Sequence, residues 1–64
     1  MRRTKDILLT IEDGTPVHLV EYACSSSEIS ELPTTGIADG SIALATNTAE
    51  VYFFSEASQA WLKV

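Results

Sequence analysis

The chain has 64 residues, of which 45% are hydrophobic, and its formal net charge is −5. One cysteine excludes an intrachain disulfide, and one histidine beside it gives too few ligands for a zinc site within the chain. A domain of this size buries only about 60% of the surface that its unfolded chain exposes, and small domains usually add a disulfide, a metal or a partner subunit. We therefore expect a single domain, residues 1–64, that forms a homo-oligomer and uses no cofactor.

The charges are divided unevenly along the sequence. Three of the four cations lie in residues 1–5, and every charged residue from Asp6 to Glu56 is acidic. An acidic body repels phosphate groups, so nucleic acid is not an expected partner. Residues 1–5 are expected to form a flexible basic arm.

The start of the sequence lacks the pattern of an export signal. The basic residues are followed by one short apolar run, Ile7 to Leu9, whereas a signal peptide needs roughly 7 to 15 apolar residues. No stretch approaches the roughly 20 apolar residues of a membrane-spanning helix. We expect a protein that is not secreted by its own signal and has no membrane partner.

The first half of the sequence predicts a β-hairpin. Its strands are expected over Asp6 to Ile11 and Val17 to Tyr22, because β-branched and aliphatic residues are concentrated there, and the turn is expected over Glu12 to Gly14. A two-residue turn at Asp13 and Gly14 would pair Leu9 with His18.

A three-residue turn with Gly14 in the left-handed conformation would instead pair Leu9 with Val17 and Ile7 with Leu19. We favour this register because it collects a cleaner apolar set on one face, namely Ile7, Leu9, Ile11, Val17 and Leu19. The opposite face is also too apolar to be simply solvated, which indicates packing on both sides of the hairpin.

The middle of the sequence, Ala23 to Gly40, is predicted to be a long connecting loop. It is rich in serine, threonine, glycine and proline and lacks the alternation of a strand. At most one helical turn is expected, over Glu28 to Leu32, before Pro33 ends it. Three apolar side chains are spaced to hold the loop against the sheet: Ile29, Leu32 and Ile37.

The last segment, Ser41 to Val64, predicts a meander of three short antiparallel strands separated by polar turns at Thr46 to Glu50 and Ser55 to Gln59. The middle strand, Val51 to Phe54, is apolar at every position, which is typical of a strand that is buried on both faces. The exact geometry of the Thr46 to Glu50 turn is left open. The residues expected to form the core or a subunit interface are Val51, Tyr52, Phe53, Phe54 and Trp61.

No combination of residues predicts catalysis or metal binding. His18 has no second histidine and no nucleophile that the sequence places beside it, and Cys24 lacks a CxxC partner, so it is expected to be a small buried side chain. Glu12 and Asp13 lack the ligand spacing of an EF-hand loop. We expect a protein that is not an enzyme.

One short motif, Leu32 to Gly36, spells LPTTG and matches the LPxTG pattern that sortases cleave. A sorting signal needs an apolar membrane tail after the motif, but acidic residues interrupt the sequence that follows. The expected role is a proline turn in which Gly36 takes a positive φ. Whether a sortase ever recognises the motif is left open.

The second half of the sequence contains a series of motifs in a fixed order. They are a glycine-rich turn, GS with an apolar strand, a polar turn, V-Y-x-F and finally W-x-K-V. The matching residues are Gly36, Asp39, Gly40, Ser41, Thr48, Glu50, Val51, Tyr52, Phe54, Trp61, Lys63 and Val64. This pattern resembles that of small proteins encoded by tailed bacteriophages and prophages of Gram-positive bacteria. Such proteins often have glycine where Ala49 stands. The resemblance implies a structural or accessory role at the phage head or tail and implies no catalytic residues.

Together these observations predict an all-β fold with an N-terminal hairpin, a long loop and a C-terminal meander. The predicted function is that of a non-enzymatic structural or accessory protein of a bacteriophage or prophage particle, located in the virion or the host cytoplasm. It would act by self-association or by docking on a larger virion protein. The alternative is a small binding or regulatory module that captures a host protein or peptide.

Overall fold

The computed structural model describes residues 1–64 and contains one mixed five-stranded sheet, which confirms the predicted all-β class. Its strands are β1 (Arg2–Glu12), β2 (Thr15–Cys24), β3 (Ile42–Ala45), β4 (Glu50–Ser55) and β5 (Ala60–Lys63). They lie in the order β1-β2-β3-β4-β5. All neighbours are antiparallel except β2 and β3, which are parallel.

The hairpin turn has two residues, so the three-residue turn favoured above is wrong. Asp13 and Gly14 have φ values of 49° and 80°, and Glu12 lies opposite Thr15. Two successive residues with positive φ are typical of the type I′ turn, whose twist matches that of the flanking strands. Asp13 tolerates this conformation better than most residues other than glycine.

The strands nevertheless recover part of the predicted register, because β1 contains a bulge. Thr10 lies opposite Val17 and Leu8 opposite His18, so that Leu9 is an extra residue between them. The bulge shifts the pairing by one residue, and beyond it Ile7 pairs with Leu19 as predicted. The expected pairing of Leu9 with Val17 does not form.

The predicted arm and the start of the predicted loop both differ from expectation. Residues 1–5, expected to be an arm, contribute Arg2 to Lys5 to β1, where Lys5 lies opposite Glu21. They have a partner because β2 continues to Cys24. The predicted loop accordingly starts after Cys24 rather than at Ala23.

The connection from β2 to β3 crosses one face of the sheet and contains a 3₁₀ helix over Ser26–Glu31, which is longer than the single turn expected. The side chain of Glu28 accepts a hydrogen bond from the Ser25 N–H at 2.9 Å, forming a capping box at the start of the helix. We call residues 25–41 the crossover.

The core lies between the crossover and the sheet. Six buried residues form one cluster: Val20, Tyr22, Ala43 and Phe54 from the sheet, and Leu32 and Ile37 from the crossover. Ile29 packs against this cluster, so all three apolar residues predicted to hold the loop do so. The indole of Trp61 meets the Phe54 ring edge-on with the centroids 5.3 Å apart, and its Nε1–H donates to the Pro33 carbonyl at 3.0 Å.

The end of the crossover runs beside β2 before β3 begins. The His18 N–H donates to the Gly36 carbonyl at 2.8 Å, and the Ala38 N–H donates to the His18 carbonyl at 2.9 Å. Ser41 then accepts the Val20 N–H on its Oγ at 3.1 Å and the Phe54 N–H on its carbonyl at 2.9 Å. These bonds satisfy the backbone of β2 and β4 where no regular strand lies between them.

Candidate functional site: an open apolar sheet face

The face of the sheet opposite the crossover is uncovered and apolar. Strands β3 and β4 form the centre of this face. Their side chains on it are Ile42, Leu44, Val51 and Phe53, which are 37% to 41% exposed. We define the open face by the apolar residues that share this side: Ile7, Leu19, Ile42, Leu44, Val51, Phe53, Leu62 and Val64.

Strand register brings these side chains into contact range across the sheet. Phe53 lies opposite Ile42 on one side and opposite Leu62 on the other. Val51 lies opposite Leu44, and its carbonyl accepts the Val64 N–H at 2.9 Å. Side chains that are directly opposite one another on neighbouring strands are roughly 5 Å apart at Cβ, so the rows form a continuous surface.

The alternation within β3 explains why this side is the one left open. Ala43 and Ala45 are both fully buried under the crossover, whereas Ile42 and Leu44 alternate with them on the other face. A methyl side chain lets the crossover approach the sheet closely, and the two larger residues are thereby directed to the uncovered side.

The open face carries little charge. Lys5 and Glu21 form an ion pair on it, with Nζ and Oε2 3.7 Å apart, near the β1 edge. With strands about 4.8 Å apart and a rise of about 3.3 Å per residue, the apolar region measures roughly 20 Å by 15 Å. This is the size of the largest apolar patch on a typical monomeric protein, which is often functional.

The five residues predicted to form core or interface are divided between the two faces. Phe54 is 1% exposed in the core, and Tyr52 and Trp61 are half-buried on the same side. Val51 and Phe53 lie on the open face. Strand β4 is therefore apolar on both faces, of which one lies in the core and the other is uncovered. The sequence interpretation did not assign Ile42, Leu44 or Leu62 to this surface, although the alternation of β3 was the available signal.

A second cluster, of polar residues, lies on the crossover side of β1 and β2. Asp6 Oδ1 lies 2.6 Å from His18 Nδ1, and Asp6 Oδ2 accepts a hydrogen bond from Arg3 Nη1 at 2.9 Å. Arg3 also donates to the Tyr22 hydroxyl. Arg3, and to a lesser extent His18, lower the pKa of Asp6. Sequence reasoning did not pair His18 with Asp6; the contact requires the bulge at Leu9.

The remaining candidates for chemistry offer no ligand set. Cys24 is buried, and burial raises the pKa of its thiol, which disfavours the reactive thiolate. No group of three or more His, Cys, Asp or Glu side chains is placed to hold a metal ion.

A shallow groove of about 420 Å³ lies beside Trp61 and is bordered by Ile29, Leu32 and Ala60. The helix of the chain, Ser26–Glu31, is too short to span a membrane.

Comparisons of this chain with protein-family models, with curated proteins and with solved structures found no match.

Proposed function

We propose that this protein is a non-enzymatic structural or accessory subunit of a bacteriophage or prophage particle and that it acts by self-association through the open face. The observation that carries the proposal is the continuous apolar surface centred on Phe53 and Val51, which no part of the chain covers. Packing it against a second copy removes that surface from water.

The energetics favour a sheet-on-sheet contact. Two sheets pack face to face about 10 Å apart when their inner side chains interdigitate. Each square ångström of apolar surface removed from water contributes about 25 cal/mol, so the exposed parts of Ile42, Leu44 and Phe53 together supply several kcal/mol. A small domain with eleven buried residues has few other sources of stability.

The placement in a phage particle rests on the sequence pattern. The pattern lies in the second half of the sequence, which forms β3, β4 and β5, the strands that supply most of the open face. Ser41 explains the GS element in physical terms, because its side chain and carbonyl bond β2 and β4. Docking on a larger head or tail protein through the same face belongs to this proposal.

The self-association is tested with the variant Phe53→Lys. Its control, Ser58→Lys, adds the same charge at an exposed position in the β4–β5 turn, away from the open face. We expect wild type and Ser58→Lys to show concentration-dependent association by sedimentation equilibrium and Phe53→Lys to dissociate at least tenfold more readily, with unchanged circular dichroism. Wild type that stays monomeric into the millimolar range would contradict self-association.

The virion role is tested separately. We expect an antibody against this protein to detect it in purified phage particles, and we expect genes for portal, capsid or tail proteins beside its own gene. Absence from particles, together with neighbouring genes unrelated to phage assembly, would contradict this part of the proposal.

The groove beside Trp61 supports the alternative function, a binding module for a host protein or peptide. An aromatic ring next to apolar Ile29 and Leu32 is the lining that peptide grooves use. The exposed Ser30 borders the groove, so Ser30→Arg would obstruct it without entering the core. Capture of a specific protein from uninfected host cells that Ser30→Arg abolishes and Ser58→Arg retains would favour this alternative.

A further inference from the structure

Strand β1 is an open edge of the sheet along its whole length. It spans eleven residues, all of them exposed, and its one strand neighbour is β2. In an antiparallel pair roughly half of the N–H and C=O groups of a strand point away from its partner. Those groups on β1 lie unpaired along the sheet edge, in position to bond another strand.

The middle of β1 has only one of the features that protect such edges, the bulge at Leu9. Edge strands in monomeric proteins are short, bulged, or carry charges or proline. Between Ile7 and Ile11 β1 has neither a charge nor a proline, and its apolar side chains are 42% to 62% exposed. Ile7 faces the open side and Leu8 the crossover side, where the crossover does not reach it. A strand placed beside β1 would bury apolar surface on both of its faces.

The opposite edge of the sheet is different. Strand β5 has four residues, Ala60–Lys63. Lys63 Nζ forms an ion pair with Glu50 Oε2 at 2.5 Å. A short strand with a charged end is a protected edge. The two edges are therefore unequal, and β1 is the one suited to pairing.

The charges along β1 favour a second copy of β1 in antiparallel orientation. Its first residues are basic and its end is acidic, and Arg2, Glu12 and Asp13 form no ion pair within the chain. Antiparallel pairing places the basic start of each copy beside the acidic end of the other. Parallel pairing would place like charges together, which is destabilising.

We propose that two copies of this protein join β1 to β1 in antiparallel orientation, so that two five-stranded sheets become one sheet of ten strands. The two-fold axis is perpendicular to the sheet and crosses β1 near Ile7, midway between Arg2 and Glu12. Both open faces then lie on the same side of the extended sheet. The edge is a different surface from the open face, so this inference does not depend on the proposed function.

The test uses charge reversal at the two ends of β1, in the Phe53→Lys background so that association through the open face is suppressed. Arg2→Glu places acidic groups together at both ends of the pair, and Glu12→Lys places basic groups together. An equimolar mixture of the two chains restores opposite charges at both ends. Arg2 and Glu12 are both exposed and without an ion pair in the chain, so we expect neither change to disturb the fold, which circular dichroism checks.

We expect each charge variant alone to dissociate about tenfold more readily than its parent in sedimentation equilibrium, because two surface ion pairs become repulsive. The mixture should recover the parental affinity and form heterodimers. Equal affinity in all samples would overturn edge pairing and leave the open-face proposal standing. A monomeric Phe53→Lys parent at every concentration would also overturn it. Single variants that bind as tightly as the parent, with a mixture that binds more tightly still, would indicate parallel pairing and overturn the antiparallel arrangement.

Discussion

Asp39 and Glu56 each accept the backbone N–H of the other. Asp39 Oδ1 accepts the Glu56 N–H at 2.6 Å, and Glu56 Oε2 accepts the Asp39 N–H at 2.9 Å. The pair joins the end of the crossover to the β4–β5 turn, two segments that are not neighbours in sequence. Because the acceptors are charged, these hydrogen bonds are stronger than those between neutral groups.

Removing one acceptor of this pair should destabilise the fold. We expect Asp39→Ala to lower the free energy of unfolding by about 1 kcal/mol, since one hydrogen bond is lost at an exposed site. Asp39→Asn keeps an acceptor oxygen and should retain most of the stability. Urea unfolding followed by circular dichroism measures both variants. A larger loss for Asn than for Ala would contradict the hydrogen-bond explanation.

Replacing Ser41 by alanine should have a larger effect. Ser41 is fully buried and its Oγ accepts the Val20 N–H, so the alanine variant leaves a buried donor without a partner. We expect a loss of about 1–3 kcal/mol in the free energy of unfolding, measured by urea denaturation. Ser58→Ala, at an exposed position, is the control and should change it by less than about 0.5 kcal/mol.

Two glycines with positive φ separate backbone strain from steric conflict. Gly36 has φ 71°, and a Cβ there would lie 2.6 Å from the Pro16 carbonyl oxygen. Gly14 has φ 80°, and a Cβ there would have no other atom within 4 Å. We expect Gly14→Ala to cost about 1–2 kcal/mol from the backbone alone, and Gly36→Ala to cost clearly more. Similar costs in thermal unfolding would show that Gly36 does not pack against β2 this closely.

Stability should fall in acid because of Asp6, Glu28 and Glu50. Hydrogen bonds from Arg3, from the Ser25 N–H and from Lys63 are the main reasons why the respective carboxyl pKa values lie below their ordinary range. The folded chain therefore binds fewer protons than the unfolded chain between the two sets of pKa values.

The resulting stabilisation is fully present above about pH 5, where the unfolded carboxyl groups are also ionised, and is lost as the pH falls through the lowered pKa values. Urea midpoints measured across this range test the prediction. Glu50→Gln removes one of the three groups and should make the acid loss of stability shallower. An unchanged pH profile for this variant would show that the Lys63 contact contributes nothing in solution.

Local patterns in the sequence were sufficient for the strands themselves. Alternation and apolar runs predicted two hairpin strands and a three-stranded meander, because a period of two depends on residues close together in the chain. The turn at Asp13 and Gly14 was misread, since the apolar set on one face favoured a three-residue turn. The bulge at Leu9 reaches the same Ile7–Leu19 pairing by another route, and such a bulge leaves no distinct signal in the residues.

The sequence alone determined the all-β class, the apolar character of both sides of Val51 to Phe54 and the positive φ of Gly36. The tertiary structure decided which sides are covered. The crossover lies over Ala43 and Ala45, and β3 is parallel to β2, because the crossover returns the chain to the same end of the sheet. Long-range packing of this kind depends on residues distant in sequence. It left the open face and the β1 edge uncovered, and these are the two surfaces through which we expect the protein to assemble.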